Sequence, residues 1–440
     1  MPGPLAPIRR TRLPSSLVSR RIFATGPTSL SRSTSGGLCP GFAWASAQPI
    51  TSIRTQRNCC RRLRTSFSPR RCGSVPALPF STHLQVAVET CLSGRRALFA
   101  DVNPLARLIT CAKTTPLDAY VLDAALAKIE GAFASLSAQE GDLPWVVNCE
   151  LWYDGKVIED LARLRRVLLE LELGDLSAFL WATFSVTARK ASRSNPRFAV
   201  PVRLKSTLAL APPDVWRLFV QQFQSNRQRV LQFSSYLQDR PKVDCVGDDA
   251  KALVNAGNPE VRSPLPNSSV DLILTSPPYA GAQKYIRASS LSLGWLGLTG
   301  PQTLKQLENA SIGREHFKKS DEAQIPEVGI AHADSLVSAI RLVNPTRAAI
   351  CAFYLVEMRA AVREMVRVMK PSGKAVLVIG DNSVCGLQFP STRYLTEMFE
   401  GAGARSVLKM TDTIKSRGLL TKRSGGAEAI AHETILVFEK

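Results

Sequence analysis

The chain lacks the features that mark several common protein classes. No apolar run approaches about 18 residues without a charge, so we predict no transmembrane helix and no membrane partner. The 10 Cys and 4 His of the 440 residues form no Cys-x-x-Cys pair and no cluster at ligand spacing, which argues against a bound metal. We therefore expect free thiols and a reducing, cytoplasmic compartment.

Lysine and acidic residues are absent from the first 88 residues, which contain 13 Arg. These arginines supply 13 of the formal net charge of +20, and the remaining +7 still suits a polyanionic partner. Segment 1–85 is rich in Ser, Arg, Pro and Thr and shows no periodicity, which predicts disorder. Three interpretations are open: a mitochondrial transit peptide, a basic tail that binds nucleic acid, or an artefact of the reading frame. Arginine without lysine favours the artefact.

The remainder has the composition of a globular protein with a large core, since 45% of all residues are hydrophobic and 21% are charged. The length suggests two or three domains. Strand and helix patterns alternate over 86–115 and again over 241–440, whereas 116–240 is mostly helical in pattern. We therefore predict an α/β domain in two parts, separated by a helical insertion.

An apolar run that ends at a double proline is the most informative feature. Residues 270–275 predict a buried parallel strand, and Ser276, Pro277, Pro278 and Tyr279 follow it. In open α/β sheets, ligand-binding and catalytic residues lie at the carboxyl ends of the strands. The prolines fix φ, which holds the carbonyls around Ser276 and Pro277 outward, and Tyr279 offers a ring for stacking. This arrangement can grip a flat ring that carries an exocyclic amine. The alternative is an ordinary strand-to-turn boundary with a core tyrosine.

Acidic residues follow two further predicted strands. The strand at 96–101 ends in Asp101, and a helix restarts at Asn103. Such an acid can bind the ribose hydroxyls of a nucleotide cofactor, or it can cap the helix. A second short strand is followed by Asp248 and Asp249, each of which can also cap the next helix.

These motifs resemble those of the amino-directed DNA methyltransferases, over about residues 86–440. The Ser-Pro-Pro-Tyr loop is the specific element, and a Pro-x-Gly turn at 371–373 before a late strand supports it. The resemblance implies an α/β, Rossmann-like methyltransferase fold: a mostly parallel seven-stranded sheet with its last strand antiparallel. It also implies methyl transfer from S-adenosylmethionine to cytosine N4 or adenine N6. Serine at the first motif position favours cytosine N4.

The resemblance further implies roles for individual residues. Ser276, Pro277, Pro278 and Tyr279 would form the catalytic loop that receives a base flipped out of DNA. The cofactor contacts would be Phe80 in the glycine-rich loop, Asp101 on the ribose, and Asp248 or Asp249 on the adenine amine. Whether a restriction endonuclease accompanies the enzyme is left open.

The glycine-rich cofactor loop departs from the family pattern. That pattern, Asp-Pro-Phe-x-Gly-x-Gly, should fall at residues 78–84, where Phe80 is retained but Leu78, Thr82 and Leu84 replace the acid and both glycines. A Cβ at these two positions would collide with the methionine part of the cofactor, so we expect weak cofactor binding. The alternatives are a cofactor-free nucleic-acid-binding protein on the same fold, and an RNA base methyltransferase.

Candidate nucleic-acid contacts fall in three places, each with a solvated polar segment or a core residue as the alternative. They are Tyr285 and Arg287 after the catalytic loop, Arg189, Lys190 and Arg193 in the helical insertion, and Lys422 and Arg423 between the last two strands. Cations interleaved with hydroxyls and amides are good phosphate ligands, which is the basis of these predictions.

Overall fold

The computed structural model describes residues 22–25, 81–139, 141–204, 211–254, 263–281, 285–315, 317, 319–413 and 432–440. None of the helices within these ranges is long and apolar enough to cross a membrane. Over the same ranges, His, Cys, Asp and Glu side chains form no group of three or more that could hold a metal ion.

Nine strands occur in this part of the chain, and seven of them form one sheet. The strands are β1 (Ile22–Thr25), β2 (Arg96–Phe99), β3 (Val243–Cys245), β4 (Val270–Thr275), β5 (Met369–Ile379), β6 (Asn382–Val384), β7 (Leu387–Phe389), β8 (Arg405–Thr413) and β9 (His432–Glu439). The sheet order is β3-β2-β1-β4-β5-β9-β8, and β6 pairs with β7 in a separate hairpin.

The sheet is mixed rather than mostly parallel in its pairings, which corrects the sequence-based expectation. β2 pairs parallel with β3, and β4 pairs parallel with β5. β9 runs antiparallel to both β5 and β8, as expected for the last strand. β1 is antiparallel to β2 and β4, so a second reversed strand lies in the middle of the sheet.

The central strand β1 comes from the segment that was predicted to lack structure. A strand between β2 and β4 provides hydrogen-bond partners for the backbone N–H and C=O groups of both strands, which would otherwise be unpaired. The stretch just before the first helix contains Pro76, which lacks an N–H donor, whereas Ile22–Thr25 is rich in β-prone residues and free of proline. The rest of 1–80 lies outside the described residues, including Phe80.

The helices cover the sheet and build the insertion. They are α1 (Ser81–Leu92), α2 (Pro104–Thr114), α3 (Ala119–Ser135), α4 (Cys149–Trp152), α5 (Gly155–Glu170), α6 (Ser177–Ala191), α7 (Val215–Tyr236), α8 (Tyr285–Trp295), α9 (Pro301–Ala310), α10 (Lys319–Ala323), α11 (Ala331–Val343), α12 (Pro345–Val368) and α13 (Ser391–Gly401). A 3-10 turn, Gly174–Leu176, precedes α6. The insertion predicted at 116–240 is helical in its described part.

Two large apolar cores divide the molecule. One joins the sheet to α11, α12 and α13, with Met358, Leu377 and Phe438 fully buried. The other lies within the insertion but also takes in α2 and α8. Trp295 at the end of α8 packs edge-on against Tyr153, with ring centroids 5.5 Å apart. The helix that follows the Ser-Pro-Pro-Tyr loop is therefore part of the same core as the helices of the insertion.

Candidate active site

The Ser-Pro-Pro-Tyr loop follows β4 at the carboxyl edge of the sheet. Pro277 and Pro278 are buried, while Ser276 and Tyr279 are half-buried. Because β4 and β5 are parallel neighbours, the loop lies beside Gly380, which follows the end of β5. The Gly380 N–H donates to the Tyr279 hydroxyl oxygen at 3.1 Å. This bond fixes the orientation of the ring that the sequence predicts to stack on a base.

The electrostatic surroundings of Tyr279 keep its hydroxyl neutral. Burial raises the pKa of Tyr279, the charge of Glu433 adds to the rise, and the Gly380 hydrogen bond opposes it. Asp381 raises this pKa further. Asp381 itself accepts from the backbone N–H of Thr392 at 2.8 Å, at the start of α13. Sequence reasoning missed Gly380, Asp381 and Glu433, although a polar end to β5 was visible.

The backbone of the loop is clamped between two neighbouring segments. Gly281 has φ +59°, and a Cβ there would lie 2.8 Å from Cγ2 of Ile350 in α12. Gly313 has φ +79°, and its Cβ would lie 2.7 Å from the Tyr279 carbonyl oxygen. Any side chain at either position would therefore displace the loop. The arrangement holds the Ser276–Tyr279 backbone in one position.

Arg314 follows Gly313, which approaches the loop, and is anchored to α12. Its Nη1 lies 2.5 Å from Glu357 Oε1 on α12, and its guanidinium carbon lies 4.4 Å from the centre of the Phe317 ring. Phe317 in turn stacks on Phe353 at a centroid distance of 5.1 Å. Arg314 and Phe317 are thus attached to α12 beside the loop.

The acids predicted to bind the cofactor follow β2 and β3, which are parallel neighbours. Asp101 is half-buried and its Oδ1 accepts from the Asn103 N–H at 2.9 Å, so it stabilises the turn into α2. Asp248 is half-buried. Asp249 accepts from the Lys251 N–H at 2.9 Å and pairs with the Lys251 ammonium at 3.5 Å. Asp249 is therefore held by local contacts with Lys251.

Arg107, which the sequence analysis did not single out, lies within electrostatic range of Asp101 and Asp248. It is buried on α2, and this burial lowers the pKa of its guanidinium. Cys245, Asp248 and Asp101 oppose that lowering, in that order. Both carboxylates are therefore within electrostatic reach of one buried cation. Only the fold reveals this, because Asp101 and Asp248 are far apart in the chain.

Asp101 and Asp248, which we call the acidic edge, suit the ribose and adenine ends of a nucleotide cofactor, since their carboxylates can accept hydrogen bonds from hydroxyl and amine groups. At the methionine end, residues 81–84 belong to the first turn of α1 rather than to an extended glycine-rich loop. The chain thus has the expected acids after β2 and β3, whereas a helical turn stands where the glycine-rich loop was expected.

A buried hydrogen bond connects this cofactor-side turn to the helix after the catalytic loop. Asn103 is the N-cap of α2, accepting from the Leu105 N–H at 3.0 Å, and its Nδ2 donates to Ser289 Oγ on α8 at 3.1 Å. Tyr285 begins α8 and packs against Ala106 of α2. The described structure thus gives Tyr285 a packing role, and Arg287 is exposed.

The three cations predicted to bind nucleic acid in the insertion have internal partners. Arg189 donates to the carbonyls of Phe198 and Ala199 at 3.1 and 3.2 Å, and burial lowers its pKa. Lys190 donates to Gln222 at 2.8 Å. Arg193 pairs with Asp154 at 3.1 Å. These contacts favour a structural role, while Lys422 and Arg423 lie outside the described residues.

The chain is similar in sequence to a known methyltransferase. No protein-family model matches the chain. The chain is 24% identical over 362 residues to the type II methyltransferase M.MvaI of Kocuria varians, covering 79% of this chain and 78% of that protein. A solved structure of a protein described as a putative DNA modification methylase from Thermus thermophilus, complexed with S-adenosyl-L-methionine, is 18% identical with a TM-score of 0.21. That match covers 40% of this chain and 49% of the other, so the chain spans about half the length of that structure.

Proposed function

We propose that the chain is an S-adenosylmethionine-dependent DNA methyltransferase that modifies an exocyclic amine, with cytosine N4 favoured over adenine N6. The observation that carries the proposal is the rigid Ser276–Tyr279 loop at the carboxyl end of β4, with the Tyr279 ring fixed by Gly380. Similarity to a type II methyltransferase over most of both chains supports it.

The loop accounts for how an amine would be held. Pro277 and Pro278 remove two N–H donors and fix the backbone, so acceptors are available at the Ser276 hydroxyl and the Pro277 carbonyl. Hydrogen bonds from the amine to these acceptors would draw its lone pair out of conjugation with the ring. Tyr279 would stack on the base and set its plane. Positioning of this kind is the main contribution that a protein makes to a direct displacement.

The acidic edge would hold the cofactor beside the loop. Asp101 would accept hydrogen bonds from ribose hydroxyls, and Asp248 from the adenine amine. The cofactor supplies an electrophilic methyl group when bound. As the amine nitrogen forms its bond to that methyl carbon, the carbon–sulfur bond breaks and the surplus amine proton passes to water. The route requires neither a metal nor a cysteine nucleophile.

Serine at the first motif position favours cytosine. In the family that the chain resembles, adenine-specific enzymes usually carry Asp or Asn there, whereas this chain has Ser276. Either residue type can accept the same hydrogen bond, so the preference rests on this one position.

A methyl-transfer assay on several nucleic acids tests the proposal. The full chain is incubated with methyl-labelled S-adenosylmethionine at high concentration and with genomic DNA, ribosomal RNA or no nucleic acid. We expect label in DNA alone. Label in RNA alone would show that RNA, and not DNA, is the substrate.

A specific observation also supports the cofactor-free alternative. Residues 81–84 are helical, where the family has a glycine-rich loop. DNA binding without cofactor binding and without any label would establish that alternative.

A further inference from the structure

A pair of exposed apolar side chains lies at the corner between α11 and α12. Leu342 is 91% exposed and Val343 is 66% exposed. The buried face of α11 carries Ala333, Val337 and Ile340, at helical spacing, so Leu342 points away from that face. Single exposed apolar residues are common on protein surfaces. Here two are adjacent, and Leu342 has the largest exposed fraction of the large hydrophobic residues in the described ranges.

The corner lies on the same edge of the sheet as the Ser-Pro-Pro-Tyr loop. α12 leads directly into β5, so its first residues lie towards the carboxyl ends of β4 and β5. A Cβ added to Gly281 would lie 2.8 Å from Cγ2 of Ile350, and Arg347 Nη1 donates to the Gly281 carbonyl at 3.5 Å. Pro345 precedes Ile350 by five residues, which places the corner about 7 Å further out along the helix axis at roughly 1.5 Å per residue.

The corner is rigid and basic. Asn344 caps α12 by accepting from the Arg347 N–H at 3.0 Å, and its own N–H donates to the Ile340 carbonyl at 2.7 Å. Arg341 and Arg347 flank the apolar pair and are exposed. Among the described residues, Glu322 contacts this corner by accepting a hydrogen bond from the Thr346 hydroxyl. A rigid apolar tip between two cations suits the base stack of a duplex between its phosphates.

From these observations we infer that the Leu342–Val343 corner is a wedge that enters the base stack of duplex DNA. The inference rests on the proposed function, because a base whose amine reaches Ser276 must first leave the duplex. Apolar side chains inserted at a base step offset part of the unstacking energy, and Arg341 and Arg347 would contact the adjacent phosphates. The corner would thus occupy the gap beside the flipped base.

The test compares Leu342→Ala/Val343→Ala with a matched control, Leu169→Ala/Val202→Ala. The control residues are an exposed leucine and an exposed valine of the insertion, each 45% exposed. Neither pair is buried, so both proteins should fold. Methyl incorporation is measured on native genomic DNA and on the same DNA after heat denaturation, at saturating cofactor.

We expect the wedge variant to lose roughly tenfold or more on native DNA, because separating a base step costs a few kcal/mol and each ~1.4 kcal/mol is tenfold. On denatured DNA, where no stack must be opened, it should retain the rate of the full chain. The control variant should match the full chain on both substrates. Unchanged activity on native DNA, or an equal loss on both substrates, would overturn the wedge.

A second measurement separates the wedge from the proposed function. Plasmid relaxed by a topoisomerase in the presence of the protein changes its linking number when side chains unstack the duplex, and this readout needs no cofactor. The full chain should unwind the plasmid and the wedge variant should not. If neither the full chain nor its variants methylate DNA, the proposed function fails, and the unwinding measurement alone tests whether the corner enters the base stack. The corner would instead be assigned to self-association if the full chain sediments as a dimer, the wedge variant sediments as a monomer, and both unwind the plasmid equally.

Discussion

The hydroxyl of Tyr279 and its ring have separable tasks. The hydroxyl accepts from Gly380, which orients the ring. The half-buried ring packs in part against the core of the sheet, and we propose that its remaining surface stacks on a base. We expect Tyr279→Phe to lower the free energy of unfolding by about 0.5–1.5 kcal/mol and to retain methylation, because only one hydrogen bond is lost. Tyr279→Ala should lose methylation, since base–aromatic stacking contributes roughly 1–3 kcal/mol. Equal rates for the Phe and Ala variants would contradict the stacking role.

Ser276 supplies the side-chain acceptor of the loop, so its removal should affect catalysis and leave the fold intact. We expect Ser276→Ala to lower the methylation rate on the order of 100-fold or more, as for other preorganised hydrogen-bonding groups. Ser235→Ala is the control, because Ser235 is an exposed serine on α7 that bonds only within its own helix turn in the described structure. Circular dichroism checks folding. A Ser276→Ala protein as active as the control would remove Ser276 from the site.

Asp101 combines a structural and a proposed binding role, which two substitutions separate. Asp101→Ala loses both the cap on the Asn103 N–H and the carboxylate, whereas Asp101→Asn keeps an acceptor and loses the charge. Both should weaken cofactor binding, by about 1.5–3 kcal/mol for a hydrogen bond to a charged group. Only Asp101→Ala should also lower stability. Equilibrium dialysis, which tolerates weak affinity, measures the first effect and urea unfolding the second. Unchanged cofactor affinity in both variants would exclude Asp101.

At the scale of elements, local periodicity was enough to predict most of the chain. The strand now seen as β4 was predicted from its apolar run, and its carboxyl-terminal loop follows where expected. The pattern after the double proline at 212–213 predicts a helix over 214–237, and α7 spans Val215–Tyr236. The apolar alternation at 433–439 predicts the last strand, and β9 spans His432–Glu439. These elements carry their own signals: caps, prolines and an apolar stripe.

Elements that depend on distant partners were not predictable. β1 is set by its pairing with β2 and β4, which are far away in the chain. The link between Asn103 and Ser289 spans 186 residues. Arg189 and Arg193 looked like phosphate ligands because a sequence does not show which carbonyls and carboxylates a cation meets after folding. Pattern reasoning therefore finds elements and loops, while the side-chain partners require the fold.

The first turn of α1 gives an element-scale prediction about the cofactor loop. Leu78→Asp/Thr82→Gly/Leu84→Gly should bind S-adenosylmethionine at least about tenfold more tightly than the unmodified chain, because glycine removes the Cβ atoms and permits a loop in place of a helical turn. The matched control, Thr82→Ala/Leu84→Ala, keeps both Cβ atoms and the helix propensity, and should not gain affinity. Tight binding by the unmodified chain would show that the loop has been misplaced.

For the whole molecule, two buried thiols predict how stability depends on pH. Burial raises the pKa of Cys91 to about 12 and that of Cys351 to about 12, from an ordinary value of 9.0. The unfolded chain therefore releases these protons first as the pH rises. The stabilising effect is fully present below pH 9.0 and is lost as the pH approaches about 12.

Urea unfolding at about pH 7, 9 and 10.5 checks this dependence. The free energy of unfolding should decrease over the upper interval, and the decrease should be smaller in Cys91→Ala/Cys351→Ala, which has no buried thiol at these positions. A decrease of the same size in both proteins would assign the alkaline instability to other groups.

We propose that the loop after β4 directs a methyl group to an exocyclic amine of DNA. Mass spectrometry tests this on the deoxynucleosides from DNA incubated with S-adenosylmethionine and either the full chain or its Ser276→Ala variant. We expect N4-methyldeoxycytidine with the full chain and its loss with Ser276→Ala. No methylated deoxynucleoside, even with the chain whose glycine loop has been restored, or methylation on cytosine carbon 5, would contradict it.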